Sequence, residues 1–299
     1  MSDFVGKAMN NLAERLLHFA QIGAVGVLLL YAQSKPAYLF YTAKGKPITY
    51  KQVRSLLSRA DVVFFGELHD DPIAHWLCHE LLRDLHKGQK VALGMEMFET
   101  DQQAALDRYL RGEVTMKQLG EIINLWPNFS TDYAPIVDFA KEAGIPVYAT
   151  NAPRSLAREV ARQGLAVIES WSDTQKALVA PYPIARLDSL PSYQRMAEMA
   201  AGHGMNPDYF RQAQMLKDAT MAHRIARYRQ EGVLFFHING SYHSDYKEGI
   251  VAYLKVYAPH LKVVTITTVL TPDPMRYRPP KKPIADIILV VPERMTRTH

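Results

Sequence analysis

The chain has 299 residues, a formal net charge of +5 and a single cysteine, Cys78. That length can bury a full core and allows one large α/β domain or one domain carrying an insertion. One cysteine excludes an internal disulfide, and the mild, scattered basicity favours an anionic surface or ligand without calling for nucleic acid.

Residues 1–18 read as an amphipathic or frayed helix. Residues 19–32, FAQIGAVGVLLLYA, carry no charge. The stretch is short for a spanning helix and close in length to the apolar core of a signal peptide. Cleavage after Ala32 would place Leu30 where a small residue is preferred, and no cysteine follows to carry a lipid. The expectation is an exported protein, periplasmic or membrane-associated, with residues 1–33 as an imperfect or uncleaved signal or a membrane-anchoring segment. The alternative is a buried apolar helix. Residues 34–299 would then form the folded domain.

YLFYTAKGKPITY reads as a β-hairpin turning at Lys44-Gly45-Lys46. Thr49 is placed to cap a helix that follows. ADVVFF then forms a short apolar strand. Pro72 opens a helix to about Lys87, with Gly88 at its end. Cys78 lies on that helix between His75 and His79, and a structural role is expected for it rather than a catalytic one. The apolar run VALGMEMF is the next strand. Two helical stretches separated near Gly112 follow, then a loop, a helix to Gly144, the strand IPVYAT and the helix RSLAREVARQG. Uninterrupted apolar strands alternating with helices predict an α/β fold, a mostly parallel sheet covered by helices on both faces.

Residues 169–212 contain no strand-like run and read as a helical insertion in that core. A long helix is predicted over 207–230, from Pro207 to just before Gly232. It carries Gln214 and Asp218 one turn apart on a shared face. A strand at 233–238, a helix to about Ala258 and strands at 261–270 and 285–291 complete the sheet. RYRPPKK, residues 276–282, is expected to be a solvated loop.

Polar groups gather outside the carboxyl ends of the strands in such a sheet. Glu67 and His69 leave the first core strand, Glu96 and Glu99 the second, and Asn239, Ser241 and His243 a late one. The spacing Gly-x-x-His occurs twice, at Gly66–His69 and Gly240–His243. Two chemistries fit. His69, Glu96, Glu99 and His243 could ligate a divalent metal such as Zn, Mn or Fe that activates water. Alternatively His69 or His243 is a general base oriented by a carboxylate, with Glu67 and Glu96 as the catalytic carboxylates. The insertion, rich in Met, Tyr and His, could hold a flat apolar macrocycle, with Arg186, Arg195 and Arg211 for its propionates.

The stretches GELHDDP, ALGMEMFE, YATNAPR, GHGMNP, KDATMA and HINGSYH resemble, in that order and across about residues 60–260, the ChaN-like haem-binding uptake proteins of the Tiki superfamily. Gly66, Glu67, His69, Glu96, Gly240 and His243 match the superfamily positions. The resemblance implies a cell-envelope protein of haem and iron acquisition, an α/β core with a helical insertion, and haem bound between two protomers through a tyrosine. Tyr209, beside His203, is then the first choice for the cofactor-binding tyrosine and Tyr193 the second. The superfamily also holds protease-type and esterase-type hydrolases, which makes hydrolysis the alternative activity.

Overall fold

The structure, a computed structural model, describes residues 35–201 and 206–298. The signal-like segment and His203 therefore lie outside the described residues. The unit spanning Tyr38–His299 is built on one eight-stranded sheet in the order β2-β1-β8-β7-β3-β6-β4-β5. Its strands are β1 (Leu39–Thr42), β2 (Pro47–Ile48), β3 (Val62–Glu67), β4 (Val91–Glu99), β5 (Val147–Asn151), β6 (Leu234–Gly240), β7 (Val263–Thr271) and β8 (Ile287–Pro292). The strands from β8 across to β5 run parallel, and the β1–β2 hairpin adds antiparallel to β8. The predicted α/β architecture is thus the observed one.

Local signals place these elements. Thr49 caps the helix Tyr50–Leu57 in a reciprocal box with Gln52, which satisfies two otherwise orphaned donors. Asp71 caps the helix Pro72–His86 through the Ala74 N–H, with Pro72 in its first turn. The β3 residues are all buried because the strand feeds two cores. Val63 and Phe65 pack with the helix Pro72–His86 on one face, whereas Val62 and Phe64 pack on the other with the helices Arg154–Gln163, Pro207–Tyr228 and Gly249–Tyr257. Alternation along a strand sends neighbouring side chains to opposite faces, so a strand buried on both sides reads as an unbroken apolar run.

The segment predicted as an insertion contains the short helix Asp173–Lys176 and the helix Pro191–Ala201, leading to the long helix Pro207–Tyr228. Among the described residues no helix is long and apolar enough to cross a membrane.

Candidate functional site

Three central strands, β3, β6 and β4, end side by side, with Glu67 in register with Gly240. Each delivers one functional group to a common point. Glu67 is fully buried and accepts from three directions. His69 Nδ1 lies 2.5 Å from Oε1, His75 Nε2 lies 3.2 Å from Oε2, and the Tyr133 hydroxyl donates to Oε1 at 3.2 Å. Burial alone would lift the Glu67 carboxyl, but the bonds and charges of His69 and His75 outweigh it and hold it below the usual range. His69 itself is 45% exposed. Its partial burial disfavours the imidazolium, yet the bond to Glu67 and that charge prevail, and its pKa is raised.

A second unit faces the first. His243 Nδ1 lies 2.5 Å from Asp218 Oδ1, and the Tyr193 hydroxyl donates to Asp218 Oδ2 at 2.7 Å. Both units have the order tyrosine, carboxylate, histidine. Glu96 joins them: its Oε1 lies 3.2 Å from His243 Nε2 and its Oε2 accepts the Gly240 N–H at 2.8 Å. His243 is buried, which opposes its charge, but Glu96 and Asp218 override that and push its pKa up to about 10. Glu96 is correspondingly held at about 2, its burial outweighed by the charges of His243 and His69. His243 is therefore an imidazolium at neutral pH, with its two N–H groups donated to Asp218 and Glu96. His69, with an exposed face and a carboxylate behind Nδ1, is the group placed to accept a proton.

Gly240 lets the two units approach. A Cβ built there would lie 2.6 Å from His69 Cε1 and 3.7 Å from Glu96 Oε2. Gly240→Ala is expected to swing the exposed His69 ring away from Glu67 at a cost within about 1 kcal/mol of stability. With that partner lost, the His69 pKa should fall towards the ordinary imidazole value, as read by NMR titration of its ring proton. The loop bearing His69 is also tied down from outside. Asn128 donates to the His69 carbonyl, Arg297 pairs with Asp70 and Asp71, and the Thr298 hydroxyl donates to Asp132.

The expected catalytic set, Glu67, His69, Glu96 and His243, is thus brought together. The expected metal set is not. Glu99 turns away to accept the Arg154 N–H at 2.8 Å, both His243 nitrogens face carboxylates, and His69 Nδ1 faces Glu67. Among the described residues no three His, Cys, Asp or Glu side chains are arranged to hold a metal ion. Tyr193, the second choice for haem, is 1% exposed with its hydroxyl on Asp218. Its place is behind His243, with no free face for a macrocycle. Cys78 is fully buried and its pKa is raised by that burial, which makes it inert. Arg186 and Arg211, expected to meet propionates, pair with Asp188 and Asp208.

Tyr209 is half-buried on the first turn of the long helix. Its ring edges over Gly164, where a Cβ would lie 3.0 Å from it. Its hydroxyl enters no hydrogen bond among the described residues, and phenolates are known iron ligands. With no partner among the described residues, the Tyr209 oxygen could hold a haem iron, whereas that of Tyr193 is committed to Asp218.

A family profile described as haem-binding uptake, Tiki superfamily, ChaN matches residues 54–254. The chain belongs to the ChaN family. That match encloses both Gly-x-x-His turns, Glu96, Asp218 and Tyr209. No curated protein matches the chain. Among solved structures, it is similar to ChaN of Campylobacter jejuni, described with cofacial haem binding, at a TM-score of 0.63 and 18% identity over 85% of this chain and 96% of that one. It also matches a Bacillus cereus protein at a TM-score of 0.48 and 13% identity, over 81% of this chain and 90% of that one. An erythromycin esterase variant in an open conformation matches at a TM-score of 0.44 and 13% identity, over 85% and 83%. At these identities the likeness to the Campylobacter ChaN is one of fold, and the family assignment stands on the profile.

Proposed function

We propose that this ChaN-family protein binds haem, and that it does so in the cell envelope as part of haem and iron uptake. The observation that carries this reading is the family match across residues 54–254. Tyr209, whose hydroxyl enters no hydrogen bond among the described residues, supports it from the helical layer. Haem would supply an electrophilic iron and a broad apolar face. Tyr209 would supply the anionic oxygen, and a second copy of the chain would cover the other face of the ligand. Replacement of Tyr209 by Ala is expected to weaken haemin binding at least tenfold and to shift the Soret band, whereas His69→Ala leaves both unchanged. Equal affinities and spectra for wild type and Tyr209→Ala would rule out Tyr209 as the ligand.

A second reading, hydrolysis by acid–base chemistry at the strand ends, is favoured by the facing tyrosine–carboxylate–histidine units. His69 would take a proton from water at Nε2 and Glu67 would hold its ring, while the His243 imidazolium, held between Glu96 and Asp218, would act through its charge alone. No bound metal enters this reading.

A further inference from the structure

A groove of about 300 Å³ runs between the helix Arg154–Gln163 and the long helix Pro207–Tyr228. Its walls carry Arg154 and Arg158 from the first helix and Lys217 from the second, with Phe210 at one end and Gln214 in the wall. Ala157, Ala161 and Ala213 complete the lining and keep it shallow. Arg154 and Arg158 are exposed and Lys217 is half-buried. Among the described residues none of the three side chains pairs with a carboxylate, and the Glu99 carboxylate sits on the Arg154 backbone N–H. Arg186 and Arg211 nearby are committed to Asp188 and Asp208. A local excess of unpaired positive charge along an apolar trough suits a ligand with an apolar body and carboxylate ends.

The two helices lie antiparallel, because Gly164 at the end of the first touches Tyr209 and Gln212 at the start of the second. Phe210, Ala213, Gln214 and Lys217 recur at three- and four-residue steps, so they form one stripe leading away from Tyr209. Arg158 stands six residues before Gly164, a rise of about 9 Å along the helix. Along its wall the groove backs onto the strand-end site, since the Gln214 amide lies 2.9 Å from His243 Nδ1.

We infer that this groove receives the carboxylates of the bound haem, with Arg154, Arg158 and Lys217 as their partners. The inference rests on the haem-binding reading above and adds to it the residues that recognise the ligand's charged edge. It also places the ligand's edge beside Gln214, whose side chain touches His243.

The test is an absorbance titration of the full chain with haemin and with its dimethyl ester, which lacks the two negative charges. Wild type and Arg158→Glu/Lys217→Glu are compared, with Arg154→Gln as a second, milder variant. All three side chains reach solvent, so circular dichroism should show unchanged folding. Wild type is expected to bind haemin at least tenfold more tightly than the double variant, with an intermediate Arg154→Gln and the same Soret position in each. The ester should bind wild type and double variant alike, and added salt should weaken only the haemin complexes that keep the three cations. Haemin binding of equal strength in wild type and both variants would overturn the groove assignment while leaving haem binding in place. A wild type that does not bind haemin at all would overturn both.

Discussion

Asp218→Ala is expected to lower the unfolding free energy by about 3–5 kcal/mol, a fall of about 10 °C in Tm for a domain of this size. Asp218 is buried on the inner face of the long helix, and it serves two partners at once: His243 Nδ1 at 2.5 Å and the Tyr193 hydroxyl at 2.7 Å. Truncation leaves a buried imidazolium balanced by Glu96 alone and a buried phenol with no acceptor, and unpaired groups in such a setting bear their full desolvation cost. Asp218→Asn separates the two parts. Its amide oxygen still accepts from Tyr193, but the negative charge is gone, so a smaller loss of about 1–3 kcal/mol is expected. Urea unfolding followed by circular dichroism measures both. A loss below about 1 kcal/mol for Asp218→Ala would contradict the assignment of His243 as a buried cation.

The same unit predicts how stability depends on pH. The folded His243 pKa, at about 10, lies above its unfolded value near 6.5. Its contribution is therefore complete below about pH 6.5 and is lost as pH rises towards 10. Between pH 6.5 and 8.5 the loss is about 2–3 kcal/mol, one proton per molecule being released on unfolding. Glu96 behaves in the opposite sense. Its folded pKa of about 2 lies below the unfolded 4.5, so its contribution is present above about pH 4.5 and is lost as pH falls towards 2. Stability should peak between these limits. Buried Cys78 and Tyr133, both raised by burial, add to the alkaline decline only above their own unfolded values, so measurements at pH 6.5 and 8.5 isolate the histidines. His243→Gln should flatten most of that interval. An alkaline decline as steep in the variant as in wild type would show that the charge on His243 is not its source.

Much of this site could be read in the residues, for a definite reason. Glu67, His69, Glu96 and His243 follow apolar runs and lie within three residues of a glycine, and a parallel sheet gathers the ends of its strands wherever the helices go. The partners of those residues had no such marker. His75 reaches Glu67 from the helix Pro72–His86 and Tyr133 from the turn between two short helices. Their meeting depends on how the helices pack on one face of β3, which no local pattern encodes. Asp218 is visible as half of a polar pair with Gln214, but its role comes from the packing that sets it against His243, three residues past the end of β6. Tyr193 shows the opposite failure. Its residue type suits an iron ligand, while its position under Asp218 gives the phenol another task. Glu99, the last residue of β4, suits a metal set by its charge, whereas the backbone N–H of Arg154 claims it. Arg297 lies in a tail without periodicity, and only the fold brings it onto Asp70 and Asp71.

Titration of the full-length protein with haemin, followed at the Soret band against a control protein of similar charge, tests the central claim most directly. The predicted result is a saturable Soret transition, with a stoichiometry of one haem per chain and growth of a dimeric species in parallel. A linear, non-saturating rise indistinguishable from the control protein would contradict haem binding by this chain.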